Sequence, residues 1–227
     1  MISDTHRCIF IHIPKTGGTS VEKKLGHFEE FKRGVQDHRL IREIEPLGPF
    51  GLARCVLIPS RYEPPWITLK RYRRRRQFVP ASPEQWRDYF KFTFVRNPWA
   101  RAYSWYKNVM RDERQQRNTG TDSSWSFERL LTDSRNGVGK RMLRSQLFWL
   151  VDHRGRVPMD FVGRFNRLHE DFATVAERIG LEDAELPRLV AGSGESYVDA
   201  YTPKLKDLIA REYRDEIKRF GFEFDDE

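Results

Sequence analysis

Residues 12–20 read HIPKTGGTS, directly after the apolar run CIFI. Gly17 and Gly18 let backbone N–H groups turn toward a ligand, and the first N–H groups of a following helix carry partial positive charge. Lys15 adds a full charge, while Thr19 and Ser20 place hydroxyls at the helix mouth. With Pro14 and Thr16 these residues make a strand-to-helix turn suited to a phosphate or a sulfate. The lysine comes before the glycines, whereas in a Walker A loop it stands just before the closing Ser or Thr. That order puts the cation at the strand edge, within reach of a bridging or leaving oxygen, and removes the usual magnesium logic. Taken alone, the same residues also suit a glycine-rich turn with a solvated lysine.

A second stretch, FTFVRNPWARAYSWYKN, has the same logic. Arg96 ends an apolar run, Asn97 is a candidate N-cap, and Pro98 takes the first helical position. Arg101 and Ser104 are three apart and share a helix face, and Arg96 in the turn can reach an anion over the first turns. A guanidinium plus a hydroxyl makes a second phosphate site.

In this order, IPKTGGTS and FVRNPWARAYSWY resemble the paired signatures of sulfotransferases that use 3′-phosphoadenosine 5′-phosphosulfate, PAPS. The segments DFVGRFNRLHEDFATVAERIGL and YVDAYTPKLKDLIAREYRDEIKRFGFEF extend the resemblance to the carbohydrate and bacterial branch, over most of the chain except about residues 46–83. The resemblance implies that Pro14, Lys15, Thr16, Gly17, Gly18, Thr19 and Ser20 hold the 5′-phosphosulfate, and Arg96 and Ser104 the 3′-phosphate. It also implies in-line sulfuryl transfer to an acceptor hydroxyl, with 3′,5′-adenosine bisphosphate (PAP) as product and no metal. Lys15 then has a catalytic role, stabilising the charge that builds on the leaving phosphate.

Such a transfer needs a group to take the acceptor's proton, and histidine suits that task near neutral pH. His38, in VQDHRLIREI, is the preferred base because its position after the first loop resembles a histidine segment of this branch. Asp37 is its neighbour in sequence, but consecutive side chains need not face each other. Glu22 is the reserve base, although a first-turn carboxylate is ordinarily solvated and complements the helix dipole. His12 reads as a buried strand ring, and His6, His27, His153 and His169 as surface residues.

The elements that must position these groups read as an α/β fold. We expect a single domain over residues 1–227, with a central parallel sheet flanked by helices around a P-loop-like nucleotide-binding core and a basic insertion or lid at about 46–83. Cys8–Ile13 and residues 90–95 are short apolar runs of the kind found in strands covered on both faces. Ser82, Pro83 and Gln85 form a capping box before a helix. Asn166 is expected to cap a helix carrying Leu168, Phe172, Val175, Ala176 and Ile179 and closed by Gly180. Thr202 and Pro203 are expected to open a final helix running to Gly221.

Composition limits the partners. The 227 residues carry a formal net charge of +8, 38% are hydrophobic and 33% charged, so a folded, well-solvated globule that attracts anions is expected. The charge alone does not choose between nucleic acid, an acidic glycan, a membrane surface and a nucleotide. The insertion holds Arg71, Arg73, Arg74, Arg75 and Arg76 with Trp66, Tyr72 and Phe78 interleaved. Guanidiniums and rings of this kind suit an acidic carbohydrate acceptor, single-stranded nucleic acid, or plain solvation. A small-molecule or glycan acceptor is preferred, with no nucleic-acid partner expected. The alternative is a basic nucleic-acid or polyanion binding module, and a nucleotide kinase is disfavoured by the missing G-K-[ST] order. Cys8 and Cys55, both in apolar runs, read as core thiols of a cytoplasmic protein. No apolar stretch is long enough to span a membrane.

Overall fold

A computed structural model describes residues 1–30, 36–57, 62, 64–73, 79–133, 141–187 and 196–226. The chain is an α/β protein that divides into two compact units. The first comprises Met1–Ile13, Gly17–Phe94 and Gln146–Pro187, and the second Pro14–Thr16, Val95–Ser145 and Arg188–Glu227.

The first unit is built on a four-stranded sheet in the order β1 (Ile2–Ser3), β2 (Cys8–Ile11), β3 (Phe90–Val95) and β4 (Phe161–Arg164). β2 and β3 are parallel, with Cys8 opposite Phe90, Phe10 opposite Phe92 and Ile11 opposite Thr93. β1 is antiparallel to β2, so the expected parallel sheet has an antiparallel edge. All four residues of β2 are buried, as a strand covered on both faces requires. The Leu168–Ile179 helix lays Phe172, Val175 and Ala176 on Cys8, Phe10, Phe92 and Phe94. Phe10 and Phe92 stack at 4.9 Å. Burying a side chain of this size contributes about 1.5–3 kcal/mol, which makes this face the anchor for the turn that leaves β2.

Two boundaries differ from the sequence expectation. Asn166 lies inside a 3₁₀ turn, Phe165–Arg167, and the helix begins at Leu168. The tighter turn puts Phe165 and Leu168 over Gly17, where a Cβ would come within 2.7 Å of Leu168 Cδ2. The helix still ends on left-handed Gly180. The final helix is two helices, Pro203–Glu212 and Arg214–Phe220, parted at Tyr213. Tyr213 is buried there and its phenol donates to the Leu143 carbonyl. The backbone bonds Tyr213 N to Ile209 O and Ile217 N to Tyr213 O carry the helical pattern across the junction.

Within 46–83, the apolar run before residue 58 is helical, as Pro49–Leu57, and it packs against a second helix, Pro65–Arg73. Phe50, Leu57 and Trp66 are exposed. The side chains of Arg71 to Arg76, Tyr72 and Phe78 lie outside the described residues. Ser82 and Gln85 form the expected capping box: Ser82 Oγ accepts from Gln85 N at 3.1 Å and Gln85 Oε1 from Ser82 N at 2.7 Å.

The second unit centres on the Pro98–Arg111 helix. Asn97 caps it, with Oδ1 accepting from Trp99 N at 3.0 Å and Nδ2 donating to the Glu223 carbonyl at 2.6 Å. Thr202 caps the Pro203–Glu212 helix as expected. Trp105, Val109 and Leu130 form a small core. Cys8 and Cys55 are free thiols, both buried. Among the described residues no helix is long and apolar enough to cross a membrane.

Candidate active site

The turn after β2 is folded by its own backbone. Lys15 has a φ of 69° and Gly17 a φ of 79°. The left-handed region suits glycine but is strained for lysine, at a cost of about 1–3 kcal/mol. Gly17 is the N-cap of the Gly18–Lys24 helix, and Ser20 N donates to its carbonyl at 3.2 Å. The N–H groups of a helix's first turn have no intrahelical acceptor, so this turn is a donor surface.

In the second unit, Lys15 Nζ donates to Asn108 Oδ1 at 3.2 Å. Burial, followed by the nearby Arg96 and Arg111 guanidiniums, pulls the lysine down to about 8. Its partner is an amide oxygen, which leaves the positive charge of the group uncompensated. Ser104, Asn108 and Arg111 are spaced four and three residues apart on the Pro98–Arg111 helix and therefore share a face. Lys15, Arg96 and Ser104 were expected as anion ligands. Asn108 and Arg111 were not singled out, although their spacing from Ser104 is a signal the sequence does carry.

Arg101, the other sequence neighbour of Ser104, does something different. It is buried, and its guanidinium donates to the Met142 carbonyl at 3.1 Å and the Arg144 carbonyl at 2.6 Å. It ties helix to loop and offers no free fork to an anion.

In the first unit, Thr19, Gln36, His38, His12 and Glu22 form one connected group. Gln36 bonds the Thr19 hydroxyl through its amide and lies 3.0 Å from His38 Nε2. His38 Nδ1 is 3.0 Å from the His12 carbonyl oxygen, and the two imidazoles stand 4.3 Å apart. Burial, with a smaller contribution from His12, lowers His38 to about 4, so the ring is neutral and a proton acceptor at physiological pH. Asp37 does not orient it. Burial alone would raise the Asp37 carboxyl, but the Met1 ammonium and Arg39 outweigh it and hold the group well below the carboxylate range.

Glu22 is fully buried, not a solvated first-turn carboxylate. Its Oε1 accepts from Asp37 N at 2.9 Å and lies 3.1 Å from His12 Nδ1. Burial raises its pKa. His12 is the expected buried ring, 2% exposed and lowered by burial to about 3. His27 is also buried, at 4% exposure, contrary to its expected place on the surface; it opens the short His27–Glu30 helix that follows the loop helix. Among the described residues no cluster of His, Cys, Asp or Glu is arranged to hold a metal ion.

Comparison with known proteins settles the class. The model of the sulfotransferase family matches residues 1–223, nearly the whole chain. The chain belongs to the sulfotransferase family. No curated protein and no solved structure matches this sulfotransferase, so the roles of its residues must be argued from its own geometry. Membership makes it a transferase of sulfuryl groups and agrees with the α/β fold described above.

Proposed function

We propose that this sulfotransferase takes a sulfuryl group from PAPS and passes it to a hydroxyl of a carbohydrate acceptor. The observation that carries the donor half is the strained, part-buried Lys15 beside Arg96 and Arg111, with an amide as its hydrogen-bond partner. Holding an uncompensated cation even partly out of water is costly unless an anion arrives. A phosphosulfate supplies one.

The residues of the chain then take separate tasks. Lys15 meets the oxygen that leaves, supplying the charge a metal would otherwise supply. Pro14 and Thr16 carry the turn, and the N–H groups of Gly17 and Gly18 with the Thr19 and Ser20 hydroxyls hold the phosphosulfate. Arg96 and Ser104 hold the 3′-phosphate. PAPS supplies an electrophilic sulfur on a good leaving group. The acceptor oxygen attacks that sulfur from the side opposite the phosphate, the bond from sulfur to the bridging oxygen breaks, and the acceptor proton passes to His38. The products are a sulfate ester and PAP. A preorganised donor at the leaving oxygen is worth about 2.7–4 kcal/mol, and base catalysis adds roughly 10²–10⁴-fold.

The acceptor assignment rests on the resemblance to the carbohydrate branch and on the exposed Trp66, which the sequence follows with Lys70, Arg71 and the rest of the arginine run. An exposed aromatic ring and a nearby run of guanidiniums in the sequence suit a sugar bearing carboxylates or sulfates. Thermal shift with PAP against 5′-AMP and ADP tests the donor: PAP should stabilise more than either. An equal response to all three would overturn the PAPS reading. A screen of acceptor classes with mass-tagged donor tests the carbohydrate reading, which falls if only non-carbohydrate hydroxyls are labelled.

A further inference from the structure

Gln36 stands between the donor loop and the candidate base, and the hydrogen count of its neighbours limits what it can be doing. His38 Nδ1 faces the His12 carbonyl at 3.0 Å, a group that only accepts, so Nδ1 carries hydrogen. In the structure the Gln36 amide nitrogen faces the Thr19 hydroxyl and its oxygen faces His38 Nε2. With that arrangement Nε2 must carry hydrogen as well, and the ring is a cation. A half-turn of the amide exchanges its two ends. The nitrogen then donates to an Nε2 that carries no hydrogen, the oxygen accepts the Thr19 hydroxyl hydrogen, and the ring is neutral.

The surroundings of the ring favour the neutral form. His12 faces it at 4.3 Å and Trp149 at 6.2 Å. Two carboxyl groups are near, but Asp37 is taken up by Arg39 at 2.7 Å and Glu22 accepts from Asp37 N. Burial outweighs their attraction and depresses the ring's basicity.

We propose that Gln36 is a positioning residue: its amide nitrogen donates to His38 Nε2 while its oxygen accepts from Thr19, fixing the base as the Nδ1–H tautomer and tying it to the donor loop. This rests on the reading of Thr19 as a donor-loop hydroxyl and His38 as the base. An acceptor hydroxyl must donate to the same lone pair, so Gln36 holds the acceptor's place until the acceptor displaces it. Thr19 is freed in the same movement to turn toward the sulfuryl group.

The test is direct and needs no turnover. Imidazole nitrogen shifts of ¹⁵N-labelled protein report tautomer and charge, and a pH titration gives the His38 pKa in wild type, Gln36→Ala and Gln36→Glu. Gln36 is exposed, so both variants should fold. Wild type should show a neutral Nδ1–H ring at pH 7. The pKa should rise in Gln36→Ala, which loses a bond to the neutral form, and rise further in Gln36→Glu, whose carboxylate pairs with the cation. A charged ring at pH 7, an Nε2–H tautomer, or one pKa shared by all three proteins would overturn the proposal. The acid limb of kcat/KM should move in the same order. If the pKa values move and the limb does not, Gln36 positions His38 as proposed but His38 is not the base.

Discussion

Gly18 is packed against the imidazole of His12: a Cβ at this position would fall 2.1 Å from His12 Cδ2 and 2.5 Å from Nε2. The glycine therefore serves close approach rather than left-handed geometry, which belongs to Gly17 beside it. The loop helix can start directly after β2's turn only because this ring fits beneath it. Gly18→Ala should destabilise the protein by about 1–3 kcal/mol, as overpacking of a tight contact does. Gly48, with nothing within 4 Å of its Cβ position, is the control and should change stability by less than about 0.5 kcal/mol when replaced by Ala. Urea unfolding of both variants checks the contrast.

Glu22 gives a prediction whose sign can be worked out. Its folded pKa is raised by burial, so its contribution to stability is fully present below the unfolded pKa and is lost as pH rises through the folded value. A glutamine in its place would keep the bond from Asp37 N without ever ionising. The stability of Glu22→Gln relative to wild type should therefore improve steadily as pH rises above about 4.3. Glu22→Ala leaves a buried N–H without its acceptor and should cost about 1–3 kcal/mol. Equilibrium unfolding across pH measures both, and a flat difference for the glutamine variant would mean the carboxyl is ionised throughout.

How much of this was legible follows from which contacts are local. The turn chemistry at Asn97, Ser82 and Thr202 was readable because a cap bonds residues two or three positions away. So were β2 and β3 as strands, from two short apolar runs, though not their pairing, which joins segments some eighty residues apart. The buried state of Glu22 was not readable, because it depends on His12 reaching it from a different element. The partner of the Tyr213 phenol was hidden for the same reason: the Leu143 carbonyl it bonds is seventy residues away. Lys15 and Arg96 were found by residue type. Asn108 was passed over because an amide on a helix face gives no signal until the lysine it bonds is placed beside it.

Lys15 should couple donor binding to proton uptake. The free group sits near 8, so at pH 8 about half of it is uncharged, and a bound anion favours the charged form. Binding PAP should raise the lysine's pKa and draw in a fraction of a proton. Affinity should then fall as pH rises above about 8. Calorimetry in two buffers of different ionisation enthalpy measures the uptake directly, and Lys15→Met should abolish it. If uptake persists in that variant, another group carries the linkage.

Arg101 and Ser104 share a helix face but should fail in opposite ways. Arg101 spans two backbone carbonyls from a buried position and lies over the Tyr213 ring at 5.7 Å. An ammonium cannot reproduce that fork, so Arg101→Lys should lose about 1–3 kcal/mol of stability while the protein that remains folded binds PAP as wild type does. Ser104 is half-buried with no structural partner among the described residues, so Ser104→Ala should leave stability within about 0.5 kcal/mol. Its loss removes one hydrogen bond to a charged group, worth about 1.5–3 kcal/mol, and PAP affinity should fall roughly ten- to a hundredfold. Melting curves and PAP titrations on the same two preparations decide the matter. Should Arg101→Lys weaken PAP binding and Ser104→Ala leave it unchanged, the phosphate ligand on this helix is the arginine and the assignment of Ser104 is wrong.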